Sequence, residues 1–506
     1  MFKLLGTNAV PSTDEAQEIR TLLCGYKVEI ADIDAKNSLI LAQLDDLRQR
    51  RCVLQQRAAP LEAVLSPARR LCPELVAMIF CIVYDLESQD SYDKQAQVAP
   101  FRLSQICSGW RRVALLTPRL WSSIKIIWRA SKNVGETIQR RIQILQTWFV
   151  RAGSLPLSAY IYYQRNLTEH AIGWYSEGRQ LVAELLPYSK RWTSLIFYLP
   201  SACLLPIWEA VDTVFPQLIT LTIVDQHWNL PIATTPTIQN VSQIRQLSLI
   251  LPHLDPLLYN VPWTQLTFLS LLEDYPLEQS PLSLDGAAYI LRECSNVIEC
   301  HLSIGHSEGA GSIHRGPVIV PRLQTLSLVI SDDGLQLLLG VLSVSQLKDL
   351  TIKEGWHGAA LASFLAGRER PLKCLSVRRV FGIPGQELLE CLQHVRVLAS
   401  LSMSSCPLEV INALTPPSYY GETPNHICPH LTSLNIPVTD PKHEEPLKTM
   451  IARRAINGPG LKEIHVHFLS RNWLTEALQS FFADLRANGV SVTHTHGKRW
   501  VASCIL

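Results

Sequence analysis

The sequence predicts an α/β protein: a long N-terminal helix and a small helical module, followed by an α/β solenoid with a parallel sheet. Three observations predict it. Apolar residues fall at seven-residue steps from Ile19 to Leu61. A pattern of apolar-x-x-apolar-x-apolar recurs from Trp192 to Leu461 at a mean step of about 27 residues. Between the two lie short helical runs punctuated by Pro73 and Pro118. Composition agrees, because 47% of residues are hydrophobic and 18% charged, enough apolar surface for a large core. A net charge of +2 argues against a dedicated nucleic-acid binder.

Residues 1–13 are expected to be disordered, and residues 14–64 to form one coiled-coil-like helix. Ile19, Tyr26, Ile33, Ile40, Leu47, Leu54 and Leu61 occupy heptad position d; Leu23, Ile30, Asn37, Leu44, Arg51 and Ala58 occupy position a. Asn37 is a polar register-setter, and Arg51 weakens the C-terminal end of the seam. A single seam does not say what fills it. A second copy, giving a homodimer through residues 14–61, and the protein's own chain are both open.

Residues 65–124 read as a helical module in two halves. Pro73 suits the first helical position, where its missing N–H is not needed. Glu74 follows in the first turn, favourable to the helix dipole. Leu75, Met78 and Ile79 share one helix face, which Phe80 widens. In the second half Leu103, Ile106, Cys107 and Trp110 repeat helical spacing, and Val113 and Ala114 continue it until Pro118 stops the helix. A polar insert near residues 87–100 is expected to loop out. Leu71, Pro73, Glu74, Leu75, Ile79 and Phe80, with Ile106-Cys107, Trp110-Arg111 and Trp121, resemble an F-box. The run Thr117-Pro-Arg-Leu-Trp121 is similar to the F-box families of mushroom-forming fungi. Cys72 departs from the pattern, where the family usually has Pro.

Residues 125–190 are expected to form a linker and cap, residues 191–485 the solenoid, and residues 486–506 a tail. The solenoid resembles a degenerate leucine-rich-repeat array. In Leu323-Gln-Thr-Leu-Ser-Leu, period 2 points Leu326 and Leu328 inward and Ser327 to the other face. The buried asparagine ladder usual in such repeats is missing, with only Cys406 in the matching slot. Ser248, Ser270, His301, Ser327, Thr351, Ser376, Ser402, Asn435 and His465 each lie between the two inward residues of a strand. They should form one row on the open strand face, the expected target-binding surface. The alternative is a loop edge near Trp228 or Tyr419-Tyr420.

Nothing in the chain reads as catalytic, and no metal or cofactor is expected. Gly305-His-Ser307-Glu-Gly309 matches Gly-x-Ser-x-Gly, but the residues after it lack the helical periodicity that a nucleophile elbow needs. His465 with His467, and His494 with His496, lack a third ligand at supporting spacing. Thirteen cysteines without a framework and no 18-residue apolar run point to cytosol or nucleus and no membrane span.

The F-box resemblance implies a substrate-recognition subunit of an SCF-type cullin–RING ubiquitin ligase. The module would bind the Skp-family adaptor and through it a cullin; the array would hold a protein target. The alternatives are a non-degradative F-box scaffold and a serine hydrolase using Ser307.

Overall fold

A computed structural model describes residues 10–89, 99–129, 134–164, 175–209, 213–225, 241–250, 261–272, 282–305, 316–367, 370–380, 382–416, 427–438, 440–456, 460–468 and 474–496. The chain divides into two compact units, Met1–Ile79 and Phe80–Leu506.

The first unit is dominated by helix α1 (Thr13–Leu65), 53 residues long. A capping box starts it. The Ser12 hydroxyl accepts from the Glu15 N–H at 3.3 Å, and the Glu15 carboxylate accepts from the Ser12 N–H at 2.9 Å. Its apolar residues stay in solvent; Leu23, Ile33, Leu47 and Leu54 are 47%, 55%, 63% and 64% exposed. A single turn of 3₁₀ helix (Pro67–Arg70) follows, and α2 (Pro73–Gln89) crosses into the second unit.

In that second unit, α3 (Ala99–Ile106) and α4 (Ser108–Leu115) replace the single helix that the spacing suggests. The break falls at Cys107, which is extended and caps α4 by accepting the Trp110 N–H on its sulfur at 3.4 Å. Ser108 and Gly109 behind it are weak helix formers, so the break costs little.

Among the described residues fourteen parallel strands then form one sheet. They are β1 (Ser123–Arg129), β2 (Leu157–Gln164), β3 (Trp192–Tyr198), β4 (Thr220–Val224), β5 (Gln246–Ile250), β6 (Phe268–Leu271), β7 (Glu299–Ser303), β9 (Thr325–Ile330), β11 (Asp349–Glu354), β12 (Cys374–Arg378), β13 (Ser400–Met403), β14 (Ser433–Val438), β15 (Glu463–Phe468) and β16 (Ser491–His496). Apart from β8 (Val318–Ile319) and β10 (Leu342–Ser343), which pair with each other, each strand lies beside its sequence neighbour. Among the described residues helices fill many of the connections, such as α5 (Val134–Arg151) between β1 and β2, and α10 (Gly358–Ala366) between β11 and β12. This is the expected α/β solenoid with a parallel sheet.

The sheet begins earlier and ends later than the repeat pattern predicts. Residues 125–190 are not a linker, because β1 and β2 are its first two strands, and the expected tail holds β16. Trp121, Ile124 and Ile126 carry the repeat spacing and are all buried, but Trp121 also belongs to the helical module and so hid the first repeat. In β16 only Val492 among the inward positions is aliphatic.

The core is a ladder of registered inward residues. Leu326, Leu350, Leu375, Leu401, Leu434 and Ile464 stand side by side across six strands, each at most 1% exposed. Burying each side chain contributes about 1.5–3 kcal/mol. Other devices replace the missing asparagine ladder. The Ser404 hydroxyl donates to the Val380 carbonyl at 2.8 Å and accepts its N–H at 3.0 Å. Asp332 accepts the Trp356 N–H at 2.7 Å, and Glu387 accepts the Trp356 indole N–H at 2.8 Å. Gly355 is required between them, since a Cβ there would lie 2.3 Å from the Ile330 carbonyl oxygen. Cys406, the one residue in the ladder slot, is buried, which pushes its thiol up to about 12.

Candidate protein-docking surfaces

Helix α2 carries the first candidate surface. Its start is built as the sequence suggests, with Pro73 at the first position and Glu74 in the first turn. Hydrogen bonds from its own N–H and from the Cys72 thiol hold the Glu74 carboxyl below the usual range. Leu71, Pro73 and Glu74 are exposed. Along the helix, Leu75, Met78, Ile79, Ile82 and Leu86 recur at helical spacing and are all exposed, an apolar stripe open to solvent. Val76, Phe80 and Tyr84 form the buried face, with Phe80 completely covered.

In the second unit two residues of the motif, Phe80 and Trp110, are drawn together. Phe80 meets Trp110 edge-on at 5.2 Å, and the Tyr84 hydroxyl donates to the Ser123 carbonyl at 3.3 Å. Asp85 pairs with Arg119 at 2.7 Å. Trp121 is buried; its indole donates to the Ala114 carbonyl at 2.8 Å, and its ring lies 4.7 Å from Trp148 of α5 and 4.4 Å beneath the Arg151 guanidinium. Phe80 and Trp121 therefore act from inside, as packing. Ile106 is exposed and Trp110 half-buried. Sequence spacing did not single out Ile82 and Leu86 as part of the stripe, although they continue its i+3/i+4 rhythm.

The second candidate surface is the open strand face. Ser248, Ser270, His301, Ser327, Thr351, Ser376, Ser402, Asn435 and His465 are register partners in unbroken succession across β5, β6, β7, β9, β11, β12, β13, β14 and β15. The row continues through Thr222, Ile196, Tyr160 and Lys125 on one side and Thr493 on the other. Seven of the nine are partly accessible; Ser270 and Ser327 lie in the same row but are buried. Their side chains are a single hydroxymethyl, overtopped by longer neighbours such as His301, whose ring lies 5.6 Å from Phe268.

The row differs along its length. At its start the Tyr198 ring lies 5.6 Å from Tyr160 and 5.7 Å from Tyr162, with the Lys125 ammonium 5.0 Å from the Tyr160 ring. Tyrosines at period 2 in β2 were the available signal for this aromatic cluster. At the far end His465 contacts Thr493 at 2.7 Å and Thr495 at 3.3 Å, and His467 contacts Thr495 at 2.7 Å. Burial holds the His465 imidazole below its ordinary value.

Ser307, Trp228, Tyr419 and Tyr420 lie outside the described residues. Among the described residues no three His, Cys, Asp or Glu side chains are placed to hold a metal. No helix among them is long and apolar enough to cross a membrane.

No protein-family model matches the chain, and no curated protein matches it by sequence. Among solved structures it is similar to the crystal structure of the Rad7 and Elc1 complex in yeast, at 12% identity and a TM-score of 0.34. The match covers 87% of this chain and 97% of that one. A likeness this loose says nothing of function.

Proposed function

We propose that the chain is the substrate-recognition subunit of an SCF-type cullin–RING ubiquitin ligase. The observation that carries the reading is the open apolar stripe of α2, directly behind the F-box-like run Leu71-Cys-Pro-Glu-Leu75. A contiguous apolar surface held out in water marks a protein interaction site, and the F-box resemblance makes a Skp-family adaptor its occupant. The row on the strand face takes the protein target. It is mostly small and uncharged, suited to reading shape and hydrogen bonds. Chemistry belongs to partner enzymes; this chain contributes proximity by raising the local concentration of a target lysine. Cytosol or nucleus is the compartment of this reading, and α1 self-associates as a coiled coil.

The test is adaptor co-purification with the full chain carrying Pro73→Ala and Leu75→Ala. Both side chains are exposed, so thermal unfolding should not move, while adaptor recovery should fall at least roughly tenfold, as for loss of an interface anchor. Undiminished recovery from a folded variant rejects the adaptor site.

A further inference from the structure

We propose that α1 pairs with a second copy of this chain in the antiparallel sense, Leu23 of one copy level with Leu61 of the other. The inference rests on the coiled-coil reading of α1 and adds its direction.

From Leu23 to Leu61 the seam is exposed, and Ile19 is half-buried. What flanks it sets the direction, because positions e and g meet across a coiled coil in ways that differ between parallel and antiparallel pairs. In a parallel pair Arg51 would stack on its own copy. Glu29, at g, would face Asp34, at e. Leu22 would face Lys27, and Lys36 would face Leu41. Two of these contacts set like charges together, and two set a charge against a leucine; the one attractive flanking pair is Arg57 with Glu62.

The antiparallel alignment removes all four conflicts. Every seam layer is filled, from Ile19 with Leu65 to Ile40 with Leu44 at the centre. Along one edge Glu29 meets Arg57 and Leu22 meets Val64. Along the other Asp34 lies beside Arg51 and Arg48, Glu62 lies beside Arg20, and Leu41 meets its own copy near the two-fold axis. Asn37, which would suit a parallel pair, lies against Leu47. The like-charge pair that remains is Lys36 with Arg50. Each is already held within its own helix, Lys36 by Asp32 and Arg50 by Asp46. Among the described residues, Glu29, Asp34, Arg51 and Arg57 make no ion pair inside α1, and these four find opposite charges across the antiparallel seam.

Sedimentation equilibrium on the full chain separates the outcomes. Glu29→Arg should raise the dimer dissociation constant roughly tenfold, since two flanking pairs turn from attractive to repulsive. Adding Arg57→Glu should restore it. A parallel dimer would do the opposite, tightening with Glu29→Arg and loosening when Arg57→Glu is added, and that result overturns the proposal. A second reading uses spin labels on Cys24 in a chain carrying Cys52→Ser, Cys72→Ser, Cys107→Ser and Cys504→Ser. The antiparallel pair puts the two labels about 50 Å apart along the rod, at about 1.5 Å per residue; a separation under about 20 Å overturns it. A chain that stays monomeric at every concentration overturns self-association itself, whatever adaptor recovery shows.

Discussion

Helix α1 and the repeat sheet are both built on leucine and isoleucine at a fixed period, and they end in opposite states. Leu326, in the sheet, is wholly buried, while Leu54, in the helix, is 64% exposed. A period identifies which residues share a face; it does not supply what covers that face. The sheet covers itself, because each repeat brings the next strand into register and helices behind it, and neighbours in a solenoid complete one another's core. The long helix has no such neighbour in its own repeat. Its apolar face is left open in the described structure, and the proposal above fills it with a second copy.

That contrast can be broken most directly with one charge in each region. Leu326→Asp should cost more than about 4 kcal/mol, because it leaves an unpaired carboxylate in the leucine ladder, and should abolish cooperative unfolding by circular dichroism. Ile33→Asp in α1 should leave the melting of the sheet in place and change only the association state. If both variants unfold alike, the helix is covered by its own chain.

A smaller effect tests whether the sheet's self-sufficiency extends to its polar groups. Arg454, in α13 (Glu444–Ile456), is buried and donates to the carbonyls of Leu414, Ile427 and Cys428 at 2.7, 2.7 and 2.8 Å. Burial without a carboxylate partner lowers its pKa. Arg454→Ala should cost about 3 kcal/mol in urea unfolding, for loss of charge-assisted hydrogen bonds to three carbonyls. Arg454→Lys should not recover it, since an ammonium lacks the planar fork.

The smallest effect lies at the last strands. Burial keeps His465 neutral in the folded chain at pH values where the unfolded chain binds a proton, its ordinary pKa being near 6.5. Stability should therefore fall as pH drops below about 6.5. His465→Gln should flatten that fall by a measurable fraction in melts between pH 7.5 and 5.5; an unchanged slope removes His465 as its source.

Much of this was legible because periods survive in sequence. The row of nine residues follows from alternation within a shared repeat slot, and the start of α2 from Pro73 at the first helical position. Other features depend on facts that no period carries. Trp121 serves two elements at once, so the first strand of the sheet was concealed behind the helical module. Cys107 interrupts a helical rhythm whose apolar spacing continues across the break. Ser270 and Ser327 sit on the open face yet are buried, because exposure depends on the length of the neighbours. The stripe on α2 extends to Ile82 and Leu86, but only burial reveals which of two apolar faces is free.

The unbroken register of the strand face makes it a ruler. Neighbouring strands stand about 4.8 Å apart, so the row carries one graduation per strand over roughly 60 Å. An extended peptide laid along it presents a side chain to the sheet about every 6.7 Å and falls out of step within two graduations. An α-helix laid the same way returns a side chain each 5.4 Å turn and keeps within half a graduation for about four turns. For the target proposed for this face, the spacing of the sheet thus favours a helical over an extended segment before any side chain is considered.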